Sequence, residues 1–428
     1  MTRVLTLLLA LLLAVPAAAQ PPPVDAIAER YVKLSLVVGE HEDGYIDAYY
    51  GPPAWQAAAK ADKRPLAALA ADAKTLATDL TAADRANGKA PALTRRRIAF
   101  LHGQIQAMQT RLAMMQGAKL SFEDEAEGLF SIRPMLKPLA DYDPILARID
   151  ALVPGEGPLS DRVDAFNMRY RIPPDRLEAV MRAAIAECRA RTAAHIALPA
   201  DERFDLELVT KQPWSGYNWY KGNAHSLIQV NTDLPVFLSR AVDLGCHEGY
   251  PGHHVLNMLL ERNLAKGRGW VEFTVYPLFS PQSFNAEGTA NYGIDLSFPG
   301  KERLRFEAGT LFPLAGLDPA GARAYFELGQ AMRALSGARL TIAALYLDGK
   351  IGREQAVELA RKYQLISPER ADQSIRFTER YRSYVINYGL GQDMAQAYVE
   401  GAGADTAMRW KAMEGLISSP TVPADLKR

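Results

Sequence analysis

The chain has 428 residues, and its 49 Lys and Arg are balanced by 49 Asp and Glu, so its formal net charge is zero. A balanced charge creates no overall field that would attract nucleic acid or an anionic membrane surface, and we expect neither as a partner. The hydrophobic fraction is 48%, and a chain of this length can bury a large core. These values are typical of a globular enzyme.

The first residues have the pattern of a secretory signal peptide. A short basic start, Met1–Arg3, precedes an apolar run from Val4 to Val15, and small residues follow from Pro16 to Ala19. The apolar run is shorter than a membrane span, and no later stretch reaches that length. We therefore expect residues 1–19 to be cleaved, and the mature chain to be periplasmic or secreted, without a membrane span.

The chain contains two cysteines, Cys188 and Cys246. In an oxidising compartment they can form one disulfide, or they can remain as two buried thiols, and the sequence leaves both possibilities open. Cys246 directly precedes His247. Because neighbours on a helix point about 100° apart, we do not expect its sulfur to join His247 in a metal site.

Helical periodicity dominates the first half of the mature chain. A turn-rich segment, residues 41–53, separates the first helix from the second, and Pro173-Pro174 precede the last of this group. The predicted helices are Ala26–Gly39, Leu66–Leu80, Arg95–Met115, Phe122–Ile132 and Asp175–His195.

The pattern changes at Phe204. Residues alternate between apolar and polar over Phe204–Val209 and again over Ser226–Asn231, which predicts two strands. An aromatic loop, Trp214–Tyr220, is expected between them. The sequence therefore predicts a small sheet just before the next helical region.

Three of the seven histidines lie within His247-Glu248-Gly249-Tyr250-Pro251-Gly252-His253-His254. A histidine followed by a glutamate is the order of a zinc ligand beside a general base, although the common H-E-x-x-H spacing is absent. Histidines seven positions apart on a straight helix are about 10 Å apart along its axis. We therefore expect Pro251-Gly252 to break the helix between Leu234–Gly249 and Val255–Lys266, so that His253, or alternatively His254, joins His247.

A third ligand is expected on a separate helix. Ser280 is a suitable N-cap and Pro281 a suitable first residue, and Glu287 follows one to two turns later in Glu287-Gly288-Thr289-Ala290. Its neighbours are small and apolar, unlike those of a surface glutamate. His247, His253 and Glu287 are therefore the predicted zinc ligands, with an open fourth position for water.

These motifs resemble bacterial domain-of-unknown-function family 885, which carries H-E-x-x-P-G-H-H and a later E-G-[WT]-A helix. Its members are regarded as metallopeptidases distantly similar to helical gluzincins, such as the angiotensin-converting-enzyme and carboxypeptidase Taq groups. The pair Gly252-His253 is similar to the G-H of those groups. The resemblance implies a Zn2+-dependent peptidase or carboxypeptidase, and it spans most of the mature chain.

The remaining chain is predicted to be helical over Asp318–Leu347, Gly352–Tyr363 and Ser367–Tyr384. Arg382 on the last of these could bind a substrate carboxylate, although an Arg/Tyr-rich helix is also typical of a solvated face. Tyr388, in a glycine-flanked turn, is the candidate for stabilising the oxyanion.

Strand Ser226–Asn231 is followed directly by the helix that carries His247, which places it near the metal. An exposed edge there could pair with an extended peptide, with Gln229 as a substrate-binding side chain. The alternative is a strand that only supports the metal helix.

Together, the patterns predict a mainly α, large multi-helix fold with a small β-sheet next to a zinc-binding helix pair. Residues 20–428 would form one domain, with a helical part over 24–200 and a metal-site part over 201–428. The expected function is an exported zinc peptidase acting on a peptide or small amide, with Glu248 as general base. Alternatives are a metal-dependent esterase or amidase on a non-peptide substrate, and a non-catalytic metal- or peptide-binding protein.

Overall fold

Helices account for most of the residues that the computed structural model describes, which are residues 21–427. The mainly α fold with a small sheet is therefore confirmed. The signal peptide predicted at residues 1–19 lies outside the described range. Within that range, no helix has the combination of length and apolar character that crossing a bilayer requires.

The first helices follow the predicted apolar periodicity. Prolines stand immediately before several of them, at Pro23, Pro65 and Pro91, where their fixed φ suits a helix start and no backbone N–H is lost from the helix interior. The helices of this half are α1 Val24–Gly39, α2 Pro53–Ala61, α3 Leu66–Ala86, α4 Ala92–Met115, α5 Phe122–Phe130, α6 Asp143–Leu152, α7 Leu159–Met168 and α8 Leu177–Ala193.

Five short strands form two sheets among the described residues. They are β1 Ile46–Tyr49, β2 Arg203–Val209, β3 Gly216–Gly222, β4 His225–Asn231 and β5 Val275–Pro277. β1 and β5 pair antiparallel, although the sequence predicted only turns around β1. In the second sheet the order is β2-β4-β3, with β2 parallel and β3 antiparallel to β4.

The second sheet corrects two predictions. The segment Trp214–Tyr220, expected to be a loop, mostly belongs to β3, because its backbone pairs with β4 from Gly216 to Gly222. β4 itself is the central strand, so both of its edges are occupied and it cannot offer one to a substrate. The prediction that Ser226–Asn231 forms the cleft wall is therefore wrong, and β3 is the edge strand on this side.

The predicted helix break is present. Helix α9 Leu238–Leu244 continues as a π-helical turn, Gly245–Gly249, and the chain then leaves the helix at the cis Tyr250-Pro251 bond. It resumes as α10 His253–Leu260 and ends in a second π-helical stretch, Glu261–Lys266. The helix begins at Leu238 and not at Leu234, because Ile172 and Leu238 anchor the preceding extended segment by backbone hydrogen bonds.

The C-terminal helices differ from the prediction at two places. The segment predicted as one helix, Asp318–Leu347, forms two helices. On either side of Leu335 the backbone makes 3₁₀-type hydrogen bonds, from residue i to residue i−3, which interrupt the α-helix, and the Leu335 side chain is buried in the hydrophobic core. Tyr388 lies in a helix and not in a turn. The helices are α11 Pro281–Ser297, α12 Glu302–Phe306, α13 Phe312–Ala315, α14 Ala322–Arg333, α15 Ser336–Leu347, α16 Arg353–Gln364, α17 Pro368–Tyr381, α18 Ile386–Glu400 and α19 Thr406–Ile417.

Two hydrophobic clusters hold these elements together. The larger one takes side chains from both ends of the chain, for example Leu69, Ile185 and Leu416. The smaller one lies among α6, α7 and α14–α17 and includes Ile149 and Ile342. Cys188 of α8 and Cys246 form a disulfide, which links α8 directly to the π-helical turn that carries His247.

Candidate metal centre

The turn between α9 and α10 depends on Gly252. Its N–H donates to the carbonyl oxygen of Cys246 at 3.0 Å, so the chain folds back over the turn that it has just left. A Cβ at position 252 would lie 1.8 Å from the carbonyl oxygen of His247. Because a glycine is needed for this approach, the Pro251-Gly252 pair is what returns His253 to the side of His247.

Helix α11 brings the third predicted ligand to the same place. Gly293 receives the ring of Pro251, since a Cβ there would be 2.8 Å from Pro251 Cγ. One and a half turns earlier, Gly288 packs against the backbone of Gly391 in α18, whose carbonyl oxygen would be 2.4 Å from a Cβ at position 288. Glu287 therefore lies on a helix that two close glycine contacts hold against the ring of Pro251 and the backbone of α18.

His247, His253 and Glu287 converge on one point. The Nε2 atoms of His247 and His253 are 3.1 Å apart, and they lie 3.2 Å and 3.6 Å from the two carboxylate oxygens of Glu287. Ligand atoms bound at 2.0–2.1 Å to a tetrahedral zinc ion are about 3.3 Å apart. The observed separations match that value, so this set of donors fits a zinc ion.

One atom of this cluster has no hydrogen-bond donor of its own. Oε2 of Glu287 is buried and unpaired by hydrogen-bond geometry, although His247 Nε2 is 3.2 Å away, while Oε1 accepts a hydrogen bond from the Tyr384 hydroxyl at 2.7 Å. A buried carboxylate oxygen is normally paired, and an oxygen left free beside two imidazole nitrogens is suited to a cation.

The charges of the cluster also favour a cation. Burial lowers the pKa of His253, but the carboxylates of Glu287, Glu248 and Asp47 outweigh burial and raise this pKa to about 9. Burial raises the pKa of Glu287, yet the two histidines hold it well below its usual range. The group of side chains therefore carries a negative field that stabilises positive charge at its centre.

His254, the alternative second ligand, points elsewhere. Its Nε2 lies 3.1 Å from a carboxylate oxygen of Glu202, and its Nδ1 lies 2.8 Å from the Ser226 hydroxyl. A carboxylate only accepts hydrogen bonds, so Nε2 donates to Glu202, and in the neutral ring Nδ1 accepts from Ser226. Both nitrogens are thus engaged in a buried hydrogen-bond network that connects α10 to Glu202 and to β4.

Glu202 is the centre of that network, and its lowered pKa leads to a prediction about stability. Burial raises the pKa of Glu202, but hydrogen bonds from His254, Tyr250 and Arg189 outweigh burial and lower it from 4.5 to about 2. A carboxyl with a lowered folded-state pKa stabilises the protein above its unfolded pKa and loses that contribution as pH falls. We expect Glu202→Gln to reduce the free energy of unfolding at pH 7, and the difference from the wild type to shrink between pH 4.5 and pH 2. Urea unfolding at several pH values measures this, and a difference that stays constant would contradict it.

Glu248, the predicted general base, lies in the same cavity as the cluster. This central cavity measures about 610 Å3, and His247, His253, Glu287 and Tyr388 also line it. Burial raises the pKa of the Glu248 carboxyl, with His247 and His253 opposing the rise. A buried carboxylate with a raised pKa, beside a candidate metal site, is suited to accept and return a proton.

Strand β3 holds Glu248 in place from the side. Asn218 donates from Nδ2 to the backbone oxygen of Glu248 at 2.6 Å. A Cβ at Gly216 would lie 2.4 Å from Leu244 Cδ2 and 3.3 Å from Glu248 Oε1. The glycine therefore allows the strand to approach α9 closely, and the position of this carboxylate depends on it.

Asp47 and Tyr388 complete the wall around the cluster. Burial raises the pKa of Asp47 to about 7, and its carboxylate accepts a hydrogen bond from the Tyr217 hydroxyl. Tyr388 lies with its ring nearly parallel to that of His247, with 6.5 Å between centroids. The predicted oxyanion residue is therefore beside the predicted ligand, although it sits on a helix.

The two predicted substrate-binding residues do not line the cavity. Gln229 accepts from Trp219 Nε1 at 2.8 Å and donates to Glu207 at 2.9 Å, so it links the three strands of the sheet. Arg382 donates from Nε to the buried carboxylate of Glu125 at 2.7 Å. Because both side chains are used in structural hydrogen bonds, we do not retain them as substrate-binding residues.

Sequence patterns did not single out Asp47, Asn218 or Tyr384 as site residues. Tyr384 was on a predicted helix, but its bond to Glu287 joins segments 97 positions apart. Asp47 and Asn218 lie in segments whose sequence predicts turns or a loop. Their only sequence signal is a polar residue between aromatic ones, in Tyr45-Ile46-Asp47-Ala48-Tyr49 and Tyr217-Asn218-Trp219.

Comparisons with known proteins support the fold. No family model matches the chain, and no curated protein matches it in sequence. A solved structure of a predicted lipoprotein from Colwellia psychrerythraea is similar with a TM-score of 0.52 and 15% identity, covering 89% of this chain and 78% of that one. Metallocarboxypeptidase 1 of Trypanosoma cruzi matches with a TM-score of 0.41 and 12% identity, covering 92% and 90%. The similarity to the first structure is one of fold alone, and no argument is based on the second.

Proposed function

We propose that this chain is an exported zinc-dependent hydrolase that cleaves peptide bonds. The observation that carries the proposal is the convergence of His247 Nε2, His253 Nε2 and the Glu287 carboxylate at separations suited to one tetrahedral ion. The expected export rests on the signal-peptide pattern of residues 1–19, and the peptidase class rests on the resemblance of the two motifs to family 885.

His247, His253 and Glu287 would hold the zinc ion. When bound, zinc polarises a carbonyl oxygen and makes a water molecule more acidic. Tyr384 donates to Oε1 of Glu287, which keeps the carboxylate from turning away from the histidines and leaves Oε2 for the ion. The three ligands come from the π-helical turn after α9, from α10 and from α11, so the site is complete only in the folded chain.

Glu248 would act as the general base. Its carboxylate would accept a proton from the attacking water and later return it to the leaving amine. Burial raises the pKa of Glu248, which strengthens it as a base and makes its protonated form a usable acid. Asn218 holds the backbone of Glu248, and β3 packs closely against its side chain, so the carboxylate has little freedom to move.

Tyr388 would donate a hydrogen bond to the oxygen that gains negative charge. Burial raises its pKa well above the usual range, so the hydroxyl keeps its proton. Its ring lies beside His247 in the wall of the central cavity. A fixed donor at this place would stabilise a tetrahedral intermediate.

Two histidine variants test the site. We expect His253→Ala to lose its equivalent of zinc and all peptide hydrolysis, because a ligand is removed. His254→Ala is the matched control, and we expect it to keep bound zinc while its stability falls, because its buried partners Glu202 and Ser226 lose their hydrogen bonds. Elemental analysis, thermal unfolding and hydrolysis of a peptide mixture measure these outcomes.

The reverse pattern, in which His253→Ala keeps zinc and His254→Ala loses it, would overturn the ligand assignment. If wild-type protein binds zinc but cleaves esters and no peptide, the metal site stands and the peptidase class fails. If neither wild-type nor variant protein binds zinc, the proposed function is wrong.

A further inference from the structure

Four arginines line the central cavity, and three of them have partners. Arg240 is paired with Asp243, with 3.4 Å between the guanidinium nitrogen and the carboxylate, and Arg333 is ion-paired with Asp295. Arg370 donates from one terminal nitrogen to the carbonyl oxygen of Pro235 at 2.7 Å. These three charges are compensated or hydrogen-bonded by groups of the protein itself.

Arg339 of α15 is the exception. Among residues 21–427 no carboxylate lies within ion-pair distance of it, and its Nε is buried without a hydrogen-bond partner. The guanidinium is held only by aromatic faces, with its central carbon 4.9 Å from the ring centre of Phe377 and 5.6 Å from that of Tyr388. Such stacking fixes the plane of the group and leaves its N–H donors free.

An unpaired guanidinium in a cavity is costly. Burial lowers the pKa of Arg339, while Tyr388 and Glu287 act in the opposite direction, yet an arginine keeps its charge under any physiological condition. A buried charge is usually paired, and a planar fork of donors matches a carboxylate in two parallel hydrogen bonds. An anion entering the cavity would therefore supply the partner that the protein does not.

The position of Arg339 suits a substrate group. The Tyr388 ring is close to both Arg339 and the metal cluster, with its centre 5.6 Å from the guanidinium carbon and 6.5 Å from the centre of the His247 ring. The distance from the Arg339 guanidinium carbon to the centre of the His247 ring is therefore no greater than the sum of these two distances. At up to about 3.6 Å per extended residue, at most about three residues separate a bond at the metal from a group at Arg339.

We propose that Arg339 binds a carboxylate of the substrate and so selects peptides that carry one close to the cleaved bond. This inference rests on the proposed function and adds the substrate class. The carboxylate could be the C-terminal α-carboxylate or the side chain of an acidic residue. The first source would make the protein a carboxypeptidase, and the second would make it selective for acidic side chains.

Three peptides distinguish these sources: a tripeptide with a free C-terminus, the same peptide as its C-terminal amide, and the amide with a glutamate in the last position. For wild-type protein we expect kcat/KM to be highest for the free acid. Arg339→Gln should lower that value on the order of 100-fold and change that of the plain amide little, because only the charged contact is lost. Arg333→Gln is the matched control, since its guanidinium already has an acid partner.

Binding is measured separately, so that a failure of hydrolysis does not decide the question. Calorimetry with the same peptides and the turnover-deficient Glu248→Gln protein should give tighter binding of the acid than of the amide, and Arg339→Gln should remove the difference. Equal binding of the free acid and the plain amide, with binding of the glutamyl amide that depends on Arg339, assigns the site to side-chain carboxylates. Equal binding of all three peptides, no peptide binding, or no effect of Arg339→Gln on any of them would overturn the proposal, whether or not the protein hydrolyses peptides.

Discussion

Glu248→Gln is expected to lower kcat for peptide hydrolysis by about 10²–10⁴-fold and to leave one equivalent of zinc bound. Glutamine has nearly the same shape but cannot accept a proton from water. The three candidate ligands are unchanged, and the backbone of residue 248 keeps its hydrogen bond from Asn218. Steady-state kinetics and elemental analysis on the same preparation measure the two effects.

Glu261→Gln is the matched control for this experiment. Glu261 is also a buried glutamate after the metal turn, but it accepts hydrogen bonds from Tyr220 and the Asn223 amide and lies outside the central cavity. We expect its variant to keep full kcat. If Glu248→Gln turns over peptides like the wild type, Glu248 is not the base. If the wild type binds zinc without turnover of any substrate, the non-catalytic alternative holds.

Gly252→Ala is expected to lower zinc affinity at least tenfold and to destabilise the fold by more than about 3 kcal/mol. The added Cβ would lie 1.8 Å from the carbonyl oxygen of His247 and 2.5 Å from that of Cys246. Both atoms belong to the backbone, so no side chain can move to make room. The chain has to open at the turn, which separates His253 from His247.

Gly249→Ala provides the matched control within the same motif. A Cβ there would be 3.9 Å from Ile185 Cγ2 and from Ile228 Cδ1, which is ordinary contact. We expect this variant to bind zinc normally, with nearly unchanged urea unfolding. A Gly252→Ala protein that holds zinc like the Gly249→Ala protein would contradict the close approach described for this turn.

Much of the fold could be predicted because its helices repeat their apolar positions regularly. The predicted break at Pro251-Gly252 and the sequence pattern of α11 also place His247, His253 and Glu287 on adjoining elements. The sequence favoured His253 but left His254 as an alternative, because the choice depends on where the chain leaves the helix. That point is fixed by a backbone contact, Gly252 with Cys246, which no side-chain pattern reveals.

Gln229 and Arg382 show a different limit of reasoning from the sequence. In the sequence, each of these polar side chains looks free to bind a substrate. In the structure, Gln229 is hydrogen-bonded to Glu207 and Arg382 to Glu125, and neither partner is a sequence neighbour. Strand order has the same limitation, because alternation identifies β4 as a strand but does not say which neighbours it has. Arg339 is the opposite case, since the absence of a partner becomes visible only when its surroundings are known.

The contact between Gly288 and Gly391 has a consequence for motion. A Cβ on Gly391 would lie 3.1 Å from the Gly288 Cα, so α11 and α18 touch through their backbones with no side chain between them. Two helices in such contact cannot slide past each other or rotate separately, and they move as one rigid body. Glu287 and Tyr388 therefore keep a fixed separation. Any opening of the cavity that admits a substrate therefore has to displace its other walls, among them edge strand β3, whose Gly216 and Asn218 line it.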